Sequence, residues 1–274
     1  MKIAYSSNGF RRHGLPETIR RLAEIGYDGV EIMADTPHAY PPHLTPEAKR
    51  QIKAALQETG LAIANVNAFM MCAVQDFHHP SWIEPEKKRR QLRIQHTVQC
   101  IELAAELGAK SISTEPGGPL EDMPPEAAME FFIEGIDQVV PIARQAGVRI
   151  LIEPEPGLLI QTSSQFLAFI GEVDSNVVGV NCDVGHFYCV QEDPAEVIVK
   201  LKEHIGHFHM EDIAETREHV HRCLGEGAMD FPKIIQVIRD IGYDSFLTIE
   251  LYPYQENAPE VAAKSLAYLR NLLF

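Results

Sequence analysis

Short apolar runs and longer amphipathic stretches alternate along this chain from one end to the other. The runs read as strands over Lys2–Ser6, Gly29–Met33, Ala62–Asn67, Ser111–Glu115, Arg149–Glu153, Val177–Asp183, Gly206–Glu211 and Phe246–Leu251. Several are apolar at successive positions, as in "ILIEPEPG" at Ile150–Gly157, which is the pattern of a strand covered on both faces in a parallel sheet. The prolines after Glu153 and Glu155 cannot continue a ladder, so that strand must stop at Glu153.

The amphipathic stretches have helical spacing over Pro16–Ile25, Pro46–Thr59, Glu86–Leu107, Pro125–Ala146, Ser163–Glu172, Pro194–His204, Phe231–Ile241 and Pro259–Leu273. Many open with proline in the first turn and close at glycine, as in "LQETGLAI" and "ARQAGVRI". Repeated at the roughly 30-residue spacing of a βα unit, this predicts an α/β fold, a single (β/α)8 TIM barrel domain over residues 1–274. An open doubly wound sheet would carry a glycine-rich phosphate loop after an early strand, whereas "SSNGF" after the first strand has one glycine.

Charge narrows the partners. Lys and Arg number 24 against 39 Asp and Glu, a net charge of -15, which disfavours nucleic acid as a partner. The one basic cluster, "EKKRRQLR" from Glu86, opens a helix and is expected to be a solvated face. No apolar stretch suits a membrane span, the N-terminal stretch lacks the apolar core of a signal peptide, and the 5 cysteines form no CxxC pair. A cytoplasmic protein is the expectation, either alone or as a homo-oligomer.

In such a barrel, reactive side chains project from the carboxyl ends of the strands. Glu153, Asp183, His209 and Glu250 occupy those ends on the last four strands, each about one βα unit from the next, so they converge on one mouth. Carboxylates gathered in a nearly dry site repel each other, and a divalent cation removes the conflict. A donor set of carboxylate oxygens and one imidazole suits one Mn2+, Mg2+ or Co2+, with Zn2+ also admissible. Glu31, Asn67, Glu115, Glu155 and His221 lie at or near other strand ends and are expected to contact substrate. His78, His79 and Trp82 fall in a long loop after the third strand that has the placement of a lid.

The stretches "YDGVEI", "IEP", "DVGHF", "HFHMED", "LGEGAMDF" and "IEL" occur in this order through nearly the whole chain. In this the sequence resembles the xylose isomerase-like TIM barrels, which include sugar phosphate isomerases and epimerases, ketose 3-epimerases and the endonuclease IV branch. The resemblance implies that Glu153, Asp183, His209 and Glu250 are metal ligands and that His186 contacts substrate oxygens. Where ketose 3-epimerases usually carry an arginine before the glycine pair of the loop after the seventh strand, this chain has His221, followed by Arg222. The endonuclease branch places a metal-binding histidine there and an aspartate two residues earlier, where this chain has His219. His221 therefore stays open between substrate contact and second-ion ligand. That branch also uses histidines on the third and fourth strands, where this chain has Asn67 and Glu115, so a phosphodiester hydrolase is the less favoured reading.

The expected activity is that of a metal-dependent isomerase or epimerase of a small sugar, sugar phosphate or cyclitol. Glu153 and Glu250 would move the proton α to a carbonyl through a metal-stabilised enediolate. A dehydratase of the inosose or dehydroshikimate kind shares that opening step and is the alternative.

Overall fold

Each apolar run forms a strand in the computed structural model, which describes residues 1–273; Phe274 lies outside the described residues. The strands are β1 (Lys2–Ser6), β2 (Gly29–Met33), β3 (Ala62–Asn67), β4 (Ser111–Thr114), β5 (Arg149–Ile152), β6 (Val178–Asp183), β7 (Ile205–Met210) and β8 (Phe246–Ile249). They close into one parallel barrel in chain order, with β1 pairing both β2 and β8. The helices between them are α1 (Leu15–Ile25), α2 (Pro46–Thr59), α3 (Lys87–Leu107), α4 (Pro125–Ala146), α5 (Ser163–Ile170), α6 (Val184–Cys189), α7 (Pro194–Leu201), α8 (Phe231–Asp240) and α9 (Ala258–Leu273).

Local chemistry accounts for most boundaries. Proline stands in the first turn of α1, α2, α4, α7 and α8, where its missing N–H is not needed. Gly26 ends α1 at φ 109° and Gly60 ends α2 at φ 68°, left-handed conformations that a side chain would strain. β5 ends at Ile152 and β8 at Ile249, so Glu153 and Glu250 stand one residue beyond the ladder. The expected strands ran through them, because an apolar run does not reveal where pairing stops.

Two features depart from the expectation. The short helix α6 follows β6 directly, capped by Asp183, whose Oδ1 accepts from the His186 N–H at 2.8 Å. A helix this short leaves no periodic trace in a sequence. The basic cluster opening α3 is also not wholly a solvated face: Arg93 is fully buried and Arg90 nearly so. Arg90 lies 3.9 Å from the Phe131 ring centroid and donates to the Glu84 carbonyl at 2.7 Å. Long cationic side chains can cross an apolar interface when carbonyls or rings receive their ends.

The apolar core lies between strands and helices, holding Phe132, Phe166, Phe169, Phe187, Phe208 and Phe231. The inside of the barrel is different: Glu31, Asn65, Ser113, Asn181, His207 and Thr248 are polar and fully or almost fully buried. Buried groups of this kind are normally paired: Asn65 Nδ2 donates to Glu31 Oε2 and to Ser113 Oγ, both at 2.9 Å, whereas Asn181 Oδ1, His207 Nε2 and Thr248 Oγ1 have no hydrogen-bond partner. All 5 cysteines are free thiols, and among the described residues no helix is long and apolar enough to cross a membrane.

Candidate metal centre and substrate cavity

At the carboxyl ends of β5 to β8 the expected four side chains meet. His209 Nδ1 lies 2.8 Å from Glu153 Oε1, 3.5 Å from Glu250 Oε2 and 3.8 Å from Asp183 Oδ2. One ligand atom from each of the four falls within 4.8 Å of all the others. Asp183 and His209 are fully buried; Glu153 and Glu250 are only slightly exposed. Two unit charges ~4 Å apart in an effective dielectric of ~20 interact by about 4 kcal/mol, so each ionised carboxylate pair here carries a large repulsion.

The titration behaviour reflects that shortage of positive charge. Burial pushes the carboxyls of Glu153 and Glu250 up, well above the ordinary range for Glu250, and neighbouring acids add to the effect. Burial would raise Asp183 too, but His186 and His221 hold it below the usual value. Burial opposes charge on His209, yet Glu153, Glu250 and Glu31 keep its pKa well above that of a free imidazole. Glu153 Oε2 and Asp183 Oδ2 are buried with no hydrogen-bond partner. Unpartnered carboxylate oxygens converging on an imidazole fit a hard or borderline divalent cation.

Above this cluster opens a cavity of about 290 Å³, lined on one side by Glu153, Glu155, Glu250, His186, His219 and His221. Asn8 just past β1, Asn67 at the end of β3, and Phe69, Met70, Phe77, His78 and Tyr252 complete the lining. His186 Nδ1 donates to the Pro154 carbonyl at 3.0 Å, since that oxygen can only accept. His221 is pinned in the same way, its Nδ1 lying 2.9 Å from the Glu250 carbonyl. Their Nε2 atoms are thereby left as acceptors. Burial lowers the pKa of His186 to about 3 and of His221 to about 4, so both rings are neutral near pH 7. The ligating atoms of His186, His219 and His221 also fall within 4.8 Å of one another.

Of the residues expected to meet substrate, His186, His221, Glu155 and Asn67 line the cavity, whereas Glu31 and Glu115 do not. Glu31 points into the barrel one layer below, because it sits two residues before the end of β2, opposite Asn65 of β3. Glu115 turns outward from the mouth: its Oε1 accepts from the Trp82 N–H at 3.2 Å and lies 3.4 Å from Arg93 Nε, with both charged groups fully buried. Burial raises its carboxyl to about 7. In the loop after β3, Phe77 and His78 reach the cavity, but Trp82 is buried beneath it against Phe132, its indole N–H donating to Thr114 Oγ1 at 3.2 Å. His79 faces Asp76 instead.

Sequence reasoning passed over Asn8, Phe69, Phe77 and Tyr252. Asn8 Nδ2 donates to Glu250 Oε1 at 2.8 Å and Asn67 Nδ2 approaches the same oxygen at 3.3 Å. The position of Asn8 just past β1, another strand end at the same mouth, was the available signal.

A sequence profile of the xylose isomerase-like TIM barrel family matches residues 19–272. The chain belongs to that family. Fructoselysine 3-epimerase of Shigella flexneri is 25% identical over 279 aligned positions, covering 100% of this chain and 98% of that protein. Inosose dehydratase of Geobacillus thermodenitrificans is 24% identical, covering 98% of this chain and 96% of its own length. Among solved structures, IOLI protein with a bound zinc atom superposes with a TM-score of 0.83 at 18% identity, covering 100% of this chain and 98% of that one, a likeness of fold.

Proposed function

We propose that this protein is a divalent-cation-dependent epimerase or isomerase of a small sugar, sugar phosphate or cyclitol, moving a proton at the carbon next to a carbonyl. The observation that carries the reading is the pair Glu153 and Glu250, which flank one cavity above a four-residue ligand cluster. Glu153, Asp183, His209 and Glu250 would hold the ion. When bound, a divalent cation supplies Lewis acidity that polarises a substrate carbonyl and favours the enediolate.

The protein's own groups divide the remaining work. Glu153 lines the cavity, and its carboxylate would ligate the ion through one oxygen and keep the other for proton removal. Glu250 Oε1 is held by the amides of Asn8 and Asn67, which orient its carboxyl across the cavity for proton return from the other face. Inversion follows when the two act on opposite faces of one carbon. His186 and His221, neutral and fixed by backbone carbonyls, present Nε2 acceptors to substrate hydroxyls. Phe69, Phe77 and Tyr252 exclude water from the reacting centre.

The inosose dehydratase relative keeps a lyase reading alive, since loss of a β-hydroxyl begins with the same proton removal. Metal-loaded protein incubated with candidate ketoses and cyclitols in D2O, followed by NMR, separates the two. Deuterium at the α-carbon with every hydroxyl retained supports epimerisation or isomerisation, and loss of a hydroxyl supports the lyase. No exchange with any substrate under Mn2+, Mg2+, Co2+ or Zn2+ would refute both.

A further inference from the structure

We propose that Glu31 is a positioning residue that decides which imidazole nitrogen of His209 faces the cation. The proposal rests on the reading that Glu153, Asp183, His209 and Glu250 hold that ion. The His209 ring stands between two unlike sets of acids. Its Nδ1 faces the cluster at the mouth, 2.8 Å from Glu153 Oε1, while its Nε2 lies 2.8 Å from Glu31 Oε2, inside the barrel.

Glu31 is fully buried and stands outside the cavity lining, so substrate does not reach it. Its other neighbours are donors: Asn65 Nδ2 gives a hydrogen bond to Oε2 at 2.9 Å, and Asn67 Nδ2 approaches Oε1 at 3.4 Å. His207 Nε2, 3.5 Å from Oε2, points at the same carboxylate from the neighbouring side of β7. Amide donors of this kind favour the ionised, acceptor-only form. An acceptor facing Nε2 keeps the proton there, so an ion that displaces the Nδ1 proton would meet the Nδ1 lone pair at the mouth.

Glu153 Oε1, as close to Nδ1 as Glu31 is to Nε2, is one of the groups that would hold the ion, so with an ion bound Glu31 is the acceptor left to the ring. Asn181 Nδ2 is 3.2 Å from Nδ1 and 3.3 Å from Nε2, so it lies beside the ring and favours neither nitrogen. A carboxylate behind a ligating imidazole fixes the ring orientation and increases its basicity, and removing such a partner typically lowers metal affinity by about 10–100-fold. Asn65 and Asn67 on β3 thus act at one remove, holding the acid that holds the ligand.

The test uses the full chain stripped of metal and titrated with Zn2+ against a chromophoric chelator. The unaltered protein binds a single zinc, Glu31→Met binds it about 10–100-fold more weakly, and Glu31→Gln, whose amide oxygen still accepts, recovers most of the loss. Ring 15N spectra of the zinc-loaded natural protein show a ligated Nδ1 and a protonated Nε2 on His209. A purely structural role would lower the melting temperature of metal-free Glu31→Met while leaving zinc affinity unchanged, and that result overturns the proposal. So does a ligated Nε2, a measurement that stands even if Glu31→Met does not fold. If the natural protein binds no divalent ion at all, the metal-centre reading falls and takes this proposal with it. If it binds zinc and Glu31→Met binds equally well, only the role of Glu31 falls.

Discussion

Replacing Arg93 by Met tests how the apolar wall of the cavity is held. The guanidinium is fully buried on α3 and reaches across to the loop after β3, donating to Phe69 O at 2.6 Å, Pro80 O at 2.9 Å and Ala68 O at 3.2 Å. It is also the counter-charge of Glu115, 3.4 Å away. Methionine preserves much of the stem packing but leaves three carbonyls and a buried carboxylate without their partner. Hydrogen bonds from a charged donor are worth about 1.5–3 kcal/mol each, so with three of them lost and part recovered by relaxation Arg93→Met should be destabilised by roughly 3–5 kcal/mol in urea unfolding. At about 2 °C per kcal/mol for a chain of this size, the melting temperature falls by roughly 6–10 °C.

Because burial already raises Glu115 to about 7, loss of its cation leaves the acid neutral, and Glu115→Gln on top of Arg93→Met should cost little more. Glu115→Gln alone should be milder than Arg93→Met, since the carbonyl contacts of Arg93 survive. The loop anchored by Arg93 carries Phe69, Phe77 and His78, so the variant should raise KM more than it lowers kcat. A loss below about 0.5 kcal/mol, within the range of ordinary surface changes, would refute the assignment of Arg93 as the anchor of that wall.

Three further outcomes are expected. Adding a divalent ion at 100 times its Kd to metal-free protein should raise stability by about 2.7 kcal/mol, and Asp183→Asn should abolish most of that gain; an ion-independent melting temperature in the natural protein would rule out the centre. Glu153→Gln and Glu250→Gln should each lower turnover by ~10²-fold or more without loss of fold, measured as solvent deuterium exchange; unchanged exchange in both would remove them from the proton-transfer step. Stability should also fall as pH drops below 6.5, because burial lowers His38 to about 4 and His96 to about 3. The unfolded chain then binds protons that the folded one does not, so each ring contributes a loss of about 2 kcal/mol by pH 5. The slope of stability between pH 7 and pH 5 should flatten in His38→Gln and His96→Gln, and an unchanged slope in both would contradict it.

What the linear order of residues determined here was periodic and local. Apolar runs ending in Glu-Pro, proline at helix starts and glycine past their ends specify eight βα units, and parallel strands in that number can hide their edges only by closing. Since reactive groups in such a barrel gather at the strands' carboxyl ends, Glu153, Asp183, His209 and Glu250 are legible as one cluster in the sequence itself.

Tertiary structure decided everything that depends on a register or a direction of a few ångströms. Glu31 and Asn67 both stand near strand ends, yet one residue layer separates an acid wired to His209 from an amide at the cavity. Glu115 follows its strand as Glu153 does, but Arg93, far along the chain on α3, draws it out of the mouth. The loop after β3 has no period to read, so the burial of Trp82 and the exposure of Phe77 follow from packing alone. Burial and pairing are sums over neighbours distant in sequence, and only the folded chain assembles those neighbours.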